Sequence, residues 1–534
     1  MSDVVAVNVP IRTNLCAWLL DARLHEGLGE RTAIRTDART LTYRQVAALS
    51  CAYASTLQAD GIERGERVIV ALPDTPEYVA ALFGILRYGA VAVMINPDAP
   101  ADLIRHFVEY TGAAAAFVPA ARLEHFRACA SACGDAIRLY PGDEGGAVPA
   151  SECDRPAFDS HRDDPAIWLF SSGTTGLPKA VVQTHRSFIN TTELYGKGVL
   201  GIRPDDITIA VPKLFFGYAT GSNLFFPFSV GASCVLFPER CTADALFAQI
   251  ARHRPTILVN VPAMVQQMTA HPETAREDVS SLRLATSAGE ALPVELYERW
   301  QRRFGVELLD GLGTAEMWHI FISNRPGHVI PGTLGRVVPG FEVRLCDPEG
   351  AEVADGEPGA LWVRGNSRAL GYWQQPEDTK RAFRGDWYVS GDMLCRNADG
   401  AYIYCGRADD MLKVSGKWLA PGELENCLIT HPAVREVAVV GVKDAAGLVK
   451  PSAFVVAASP GPELAEELQA FARSKLEPYK YPRTVVFLDG LPRTHLGKID
   501  RGALAKHGNT PISAGDPPIS AVEQPFRAAR PPKR

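Results

Sequence analysis

Apolar positions along the chain follow two rhythms. Short runs rich in β-branched and aliphatic residues, such as Arg67–Leu72 and Val91–Ile95, read as buried strands. Between them, Pro76–Tyr88 repeats its apolar residues on one face at helical spacing. Strand, helix, strand in that order is one βαβ unit. The rhythm returns as strand Leu282–Thr286, helix Pro293–Phe304 and strand Val306–Leu309. These units predict an α/β fold. In doubly wound sheets ligands collect where strands deliver their loops, so the loops after Thr286 and Leu309 are places to look for chemistry.

From Ala401 the texture changes. A dense, charged segment, Cys405–Gly416, precedes helix Pro421–Thr430, strand Glu436–Val442, helix Leu464–Lys475 and strand Thr484–Leu488. At 534 residues the chain is too long for one ordinary core. The expected organisation is a large N-terminal domain of α/β subdomains over 1–408 and a small mobile α+β domain over 409–508, hinged near Asp409. The stretch 509–534, rich in Pro, Ala and Ser without an apolar period, reads as a disordered tail.

Composition narrows the function classes. The formal net charge of −6 and the lack of any lysine or arginine run argue against bulk nucleic-acid binding. The mostly apolar run Val79–Ile95 is broken by Arg87 and Gly89, so no stretch reads as a membrane span. Met1–Asn8 has neither the basic head nor the apolar core of a signal peptide, which makes cytoplasmic residence the expectation. Eleven cysteines are scattered without CxxC pairs or zinc-type spacing, and an odd count in such a chain suits reduced thiols. The close pair Cys129 and Cys133 falls in a predicted helix.

Five segments carry candidate chemistry. Ser171-Ser172-Gly173-Thr174-Thr175-Gly176-Leu177-Pro178-Lys179 follows the apolar strand Ala166–Phe170. Its glycines allow backbone N–H groups close to phosphate oxygens, and its hydroxyls and lysine add donors. The glycine spacing is too short for a Walker A loop, and Ala180 follows the lysine. Asp310-Gly311-Leu312-Gly313-Thr314-Ala315-Glu316 fails as a dinucleotide fingerprint because Glu316 takes the third glycine position, yet a glycine turn delivering one carboxylate suits Mg²⁺ shared with nucleotide phosphates. Trp387–Asp392, Gly406–Asp410 and Pro492–Ile499 are each ordinary alone: a turn, a surface ion pair, a solvated lysine.

Taken together and in this order, the segments resemble the adenylate-forming superfamily of acyl-CoA synthetases, adenylation domains and luciferases, from about Leu41 to Arg501. The resemblance implies roles. Ser171–Lys179 would close over the ATP β,γ-phosphates, with Lys179 as a catalytic cation, and Ser287, Gly289 and Glu290 would lie on the adenine side. Asp310, Gly311, Gly313 and Thr314 would border the nucleotide, and Glu316 would bind Mg²⁺. Asp392 and Arg407 would contact the ribose, Asp409 would be the hinge, and Lys498 would bridge carboxylate and α-phosphate. Gly416 would fall in the loop that reaches pantetheine, so ATP, Mg²⁺ and coenzyme A are the implied cofactors. Two departures stand out: Ala180 replaces a common glycine, and Ala315 replaces a threonine whose hydroxyl contacts the AMP phosphate, with Thr314 as a partial substitute.

The acid is read from a second resemblance. Val211–Gly221, Glu316–Arg325 and Lys413–Gly416 are similar to the benzoate-CoA ligase branch. Phe216, Gly217, Tyr218 and His319 would then line a short aromatic slot for a flat ring, the reading favoured over one in which Phe215, Phe216 and Tyr218 are simply core. Trp318 and Gly217 could trade volume, and His319 and Tyr218 are the candidate donors to a ring substituent, so benzoate and hydroxy- or aminobenzoates are all admissible. The thiol acceptor would be free CoA or a carrier-protein phosphopantetheine. A non-catalytic homologue is the reading from another class, opposed by the retained Lys179, Glu316, Asp392, Arg407 and Lys498.

Overall fold

A computed structural model describes residues 7–132, 137–142, 155–172, 177–272, 278–414, 417–444, 447–493 and 499–508. The predicted βαβ unit is present: strand Arg67–Val70, helix Pro76–Tyr88 and strand Val91–Met94, paired in parallel with Arg67 opposite Val91. The helix opens on Pro76 at its first turn and stops at Gly89, whose left-handed φ of 90° lets its N–H reach back to Ile85 and Leu86. Arg87, which interrupts the apolar run, is buried with Nε donating to Ser50 Oγ at 3.1 Å, Nη1 to the Arg155 carbonyl at 2.7 Å, and an ion pair to Asp21. That satisfied network is what allows a charge inside.

These strands belong to a seven-stranded sheet, ordered Gly371–Tyr372, Pro178–Thr184, Pro165–Ser172, Val91–Met94, Arg67–Val70, Ala115–Val118, Arg138–Pro141. A nine-stranded sheet holds the second rhythm, with Ile257–Asn260, Leu284–Ser287 and Leu308–Thr314 adjacent and parallel. Its core gathers Ile209, Leu258, Val265, Leu296, Trp300 and Leu308. The strand expected to end at Leu309 begins at Leu308 and runs on to Thr314. The expected glycine loop is therefore strand, because Gly311–Thr314 pairs antiparallel with His319–Ser323, with a register irregularity between Leu312 and Gly313.

The described chain forms two compact units. Among the described residues the larger falls within 7–357, 361–390 and 396–403, and the smaller within 358–360, 391–395 and 404–508. This is an α/β architecture of one large and one small domain. In the small unit, Val434–Lys443 extends past the predicted strand at both ends because it pairs along its length with Val449–Ala457, a strand the pattern did not announce. Thr484–Phe487 adds in parallel, and helices Pro421–Leu428 and Pro462–Lys475 cover the sheet around Leu424, Leu428, Leu464 and Leu468.

Cys51 is disulfide-bonded, against the expectation of reduced thiols, and the other described cysteines are free. Cys129 is buried in helix Leu123–Ser131, while Cys133 lies outside the described residues, as does the tail expected at 509–534. No described helix is long and apolar enough to cross a membrane.

Candidate functional site

The hairpin Pro165–Ser172/Pro178–Thr184 sets the frame for the phosphate loop, with Ser171 opposite Lys179 and Ser172 opposite Pro178. Gly173, Thr174, Thr175 and Gly176 lie outside the described residues, and so does the Ser172 side chain. The following Ala180 is fully buried within a core cluster that includes Trp168 and Val182. Its methyl therefore serves packing.

Lys179 is only 9% exposed and forms an ion pair with Asp378, at the start of helix Pro376–Ala382. The lysine holds the Asp378 carboxyl below the usual carboxylate range. Its ammonium also lies 5.7 Å over the Tyr372 ring, and the Tyr372 hydroxyl donates to Glu316 Oε1 at 2.9 Å. Burial and the neighbouring Glu316 carboxylate push the Tyr372 phenol well above its ordinary value, so it stays a donor. Lys179 and Glu316 are thus joined through one aromatic ring. Sequence reasoning missed Tyr372 and Asp378: a tyrosine after glycine and an acid in a first helical turn read as ordinary local chemistry, and Asp378 lies 199 positions from Lys179.

Glu316 sits in the short turn Ala315–Met317, where Thr314 Oγ1 accepts from Met317 N–H at 3.3 Å. Gln183 Nε2 donates to the Ala315 carbonyl at 2.6 Å, and Ala369 N–H donates to the Glu316 carbonyl at 2.8 Å. The turn is pinned on both sides, and the carboxylate it carries is 5% exposed. Among the described residues no three His, Cys, Asp or Glu side chains group to hold a metal, and Glu316 has no ion-pair partner. A dication that keeps substrate phosphates and water in its shell needs only one or two protein carboxylates, and Glu316 fits that requirement.

The ends of the parallel strands supply the next wall. Ser287 pairs in register with Asp310 on one side and Asn260 on the other. Burial drives the Asp310 carboxyl well above the usual carboxylate range, against hydrogen bonds from the Gly311 and Leu292 backbone. Gly289 turns with a φ of +93° and, like Glu290, is exposed. Gly313 stands where a Cβ would lie 2.1 Å from the His319 carbonyl oxygen, so the hairpin closes only on glycine.

The proposed acyl wall lies on the segment before the short helix Gly217–Ala219 and on the facing strand. The Phe215 and Phe216 ring centroids lie 4.3 Å apart, with the planes tilted by 40°. A Cβ on Gly217 would meet Trp318 Cζ3 at 3.2 Å and Leu169 Cδ1 at 3.3 Å. Trp318 is fully buried and packs edge-on against Phe188 at 4.3 Å. The Tyr218 hydroxyl bonds Thr286 Oγ1 at 2.6 Å, and the Tyr218 ring lies 5.3 Å from the His319 ring.

His319 stands beside Tyr218 on the returning strand of the hairpin. It is 5% exposed, has a positive φ of 76°, and burial lowers its pKa to about 3, so the ring is neutral. Its Nε2 lies 3.0 Å from both the Tyr218 carbonyl and Ser222 Oγ. A carbonyl only accepts, so the single ring proton sits on Nε2 and is held there. That N–H fixes the Tyr218 backbone, and the buried Nδ1 of the same ring has no hydrogen-bond partner among the described residues.

In the small unit, Asp392 is buried, and its Oδ1 accepts from Arg407 Nη1 and from the Tyr404 hydroxyl, each at 3.3 Å. Asp409 lies exposed on the turn Ala408–Asp410. Gly416 and Lys498 lie outside the described residues.

Comparison with known proteins adds a separate line of observation. The AMP-binding enzyme family matches residues 22–373, and the AMP-binding enzyme C-terminal domain matches residues 423–498. A benzoate–CoA ligase of Thauera aromatica is 40% identical over 516 residues, covering 93% of this chain and 96% of the relative. The crystal structure of a benzoate CoA ligase from Burkholderia xenovorans LB400 superposes with a TM-score of 0.85 at 41% identity, over 92% of this chain and all of that one. The anthranilate CoA ligase AuaEII, solved with anthranoyl-AMP, gives a TM-score of 0.88 at 37% identity, over 94% and 98% of the two chains.

Proposed function

Because the chain belongs to the AMP-binding enzyme family, in its benzoate–CoA ligase branch, we propose that it activates a benzoate-type acid with ATP and passes the acyl group to coenzyme A. The acid is benzoate or a hydroxy- or aminobenzoate. Its carboxylate attacks the α-phosphorus, the bond to pyrophosphate breaks, and acyl-AMP forms. The CoA thiol then attacks the acyl carbon, and AMP leaves with the bonding pair.

Two anions must approach in the first step, so the barrier is chiefly electrostatic and is lowered by fixed positive charge. Lys179 is the candidate cation at the phosphates, and Lys498 the candidate at the carboxylate and α-phosphate. Mg²⁺ would be held by Glu316 with nucleotide oxygens and would neutralise phosphate charge. Tyr372 orients the Glu316 carboxylate by its hydrogen bond. The Ser171–Gly176 backbone would cradle the β,γ-phosphates, while Ser287, Gly289, Glu290, Asp310, Gly311, Gly313 and Thr314 would border the nucleotide. Asp392 and Arg407, already paired, would take the ribose hydroxyls. Gly416 would reach the pantetheine after the small domain, 409–508, turns about Asp409. A need for ATP and CoA supports cytoplasmic residence.

The observation that carries this reading is the Lys179–Tyr372–Glu316 cluster, which joins the candidate phosphate-binding cation to the candidate metal-binding carboxylate through one aromatic ring. A carboxylate panel read by acid-dependent pyrophosphate exchange tests it, followed by AMP release with CoA as sole acceptor. Benzoate-type acids are expected to exceed octanoate widely, and CoA to suffice without a carrier protein. Equal exchange with octanoate would overturn the aryl assignment.

A further inference from the structure

We propose that Asp74, in the turn of the first βαβ unit, is a positioning residue for the aryl pocket, pinning the Leu214 backbone and through it the Phe215–Tyr218 wall. The inference rests on the reading of that wall as the acyl site. Asp74 is buried between strand Arg67–Val70 and helix Pro76–Tyr88, and its Oδ1 accepts the Leu214 N–H at 2.9 Å from 140 positions away. Leu214 is itself fully buried, and its carbonyl accepts from the Thr220 hydroxyl. Both sides of this one residue are tied, immediately before the aromatic run begins. The Phe216 N–H closes a turn onto the Lys213 carbonyl at 2.9 Å, and Lys213 Nζ donates to the Phe237 carbonyl at 2.6 Å.

A buried carboxylate is costly unless paired and hydrogen-bonded. Burial raises Asp74 to about 6, against the Lys213 charge and the Leu214 N–H that lower it, and Tyr78 and Cys234 are its other titratable neighbours. A leucine of similar size would pack there at lower cost in desolvation. What leucine lacks is an acceptor for the Leu214 N–H. The side-chain oxygen, rather than the charge, is therefore the feature the site needs, and its structural consequence is the placement of Gly217 and Tyr218.

The test uses the full chain and two near-isosteric variants, reading KM for benzoate and KM for ATP in pyrophosphate exchange. Asp74→Leu removes the acceptor and is expected to raise KM for benzoate about tenfold, the scale of one orphaned buried N–H, with KM for ATP unchanged. Asp74→Asn keeps an acceptor without charge and is expected to restore KM for benzoate to near the wild-type value. Asparagine as damaging as leucine, or both constants rising together in the leucine variant, would overturn the positioning role. Should Asp74→Leu fail to fold, hydrogen exchange decides: the Leu214 amide of the wild-type protein is expected to be strongly protected without any acid bound, and rapid exchange there sinks the proposal. A wild-type protein that activates no aryl acid would refute the functional reading and leave the exchange result standing.

Discussion

At the scale of single residues, the pocket and the charged cluster make different demands. Gly217 is proposed to give the aryl slot its room: its φ is outside the left-handed region, so the constraint on a side chain there is the contact a Cβ would make with Trp318 and Leu169. Trp318 is held by Phe188 and Phe225 and cannot yield freely. Gly217→Ala is therefore expected to lower kcat/KM for ring-substituted benzoates more than for benzoate, by an amount on the order of the 1–3 kcal/mol a methylene mismatch brings. A uniform loss across acids would mean the methyl disturbs the wall and not the ring space. Glu316→Gln replaces a charged ligand of a hard dication with a neutral one, and the Mg²⁺ concentration for half-activity should rise. An unchanged Mg²⁺ titration would return Glu316 to a purely structural role beside Tyr372. Lys498→Ala should abolish most pyrophosphate exchange while the circular dichroism spectrum is retained, and exchange at the wild-type rate would remove Lys498 from the reaction.

At the scale of elements, the hairpin Leu308–Thr314/His319–Ser323 carries the most. It delivers Glu316 from its tip and His319 from its returning strand. Trp318 and His319 both have positive φ, at 42° and 76°, a strain that non-glycine residues keep only where the surroundings impose it. Gly313→Ala would drive a methyl into the His319 carbonyl, so stability should fall by about 1–3 kcal/mol or more in a denaturant titration. Gly311→Ala, whose Cβ would meet the Ile322 carbonyl at 3.0 Å, should cost less. If the two variants unfold at the same denaturant concentration, the closure of the hairpin does not depend on Gly313. The exposed turn Ala408–Asp410 is the element proposed to rotate. Proline fixes φ, so Asp409→Pro should leave adenylate formation intact while thioester formation falls; equal loss of both half-reactions would remove Asp409 as the hinge.

At the scale of the whole molecule, burial sets the response to acid. His185 is lowered to about 4 and His319 to about 3, each by desolvation. The unfolded chain binds protons at these positions below its ordinary histidine range, near 6.5, while the folded protein does not, so both make stability fall as pH drops from about 6.5 towards 4. Asp74, raised to about 6, acts in the opposite sense between about 6 and 4, because the folded state takes up its proton first. Asp310, also raised by burial, acts in the same sense as Asp74, while His185 contributes a fall of the melting temperature from pH 7 to pH 4.5. His185→Asn should flatten that slope, and an unchanged slope would mean that other groups govern it. The sequence by itself determined the helix Pro76–Tyr88 to the residue, the parallel βαβ rhythm, the position of Glu316 just past a glycine-rich segment and the family, because periodicity, caps and ordered motifs are local properties of the chain. Only the tertiary structure decided that Gly311–Thr314 is strand, that Val449–Ala457 pairs beside its neighbour, and that Lys179 meets Asp378. It also decided that His319 holds the Tyr218 backbone and that Asp74 holds Leu214. Each of these depends on a partner remote in the chain, and a hydrogen bond or ion pair between remote residues leaves no trace in local spacing.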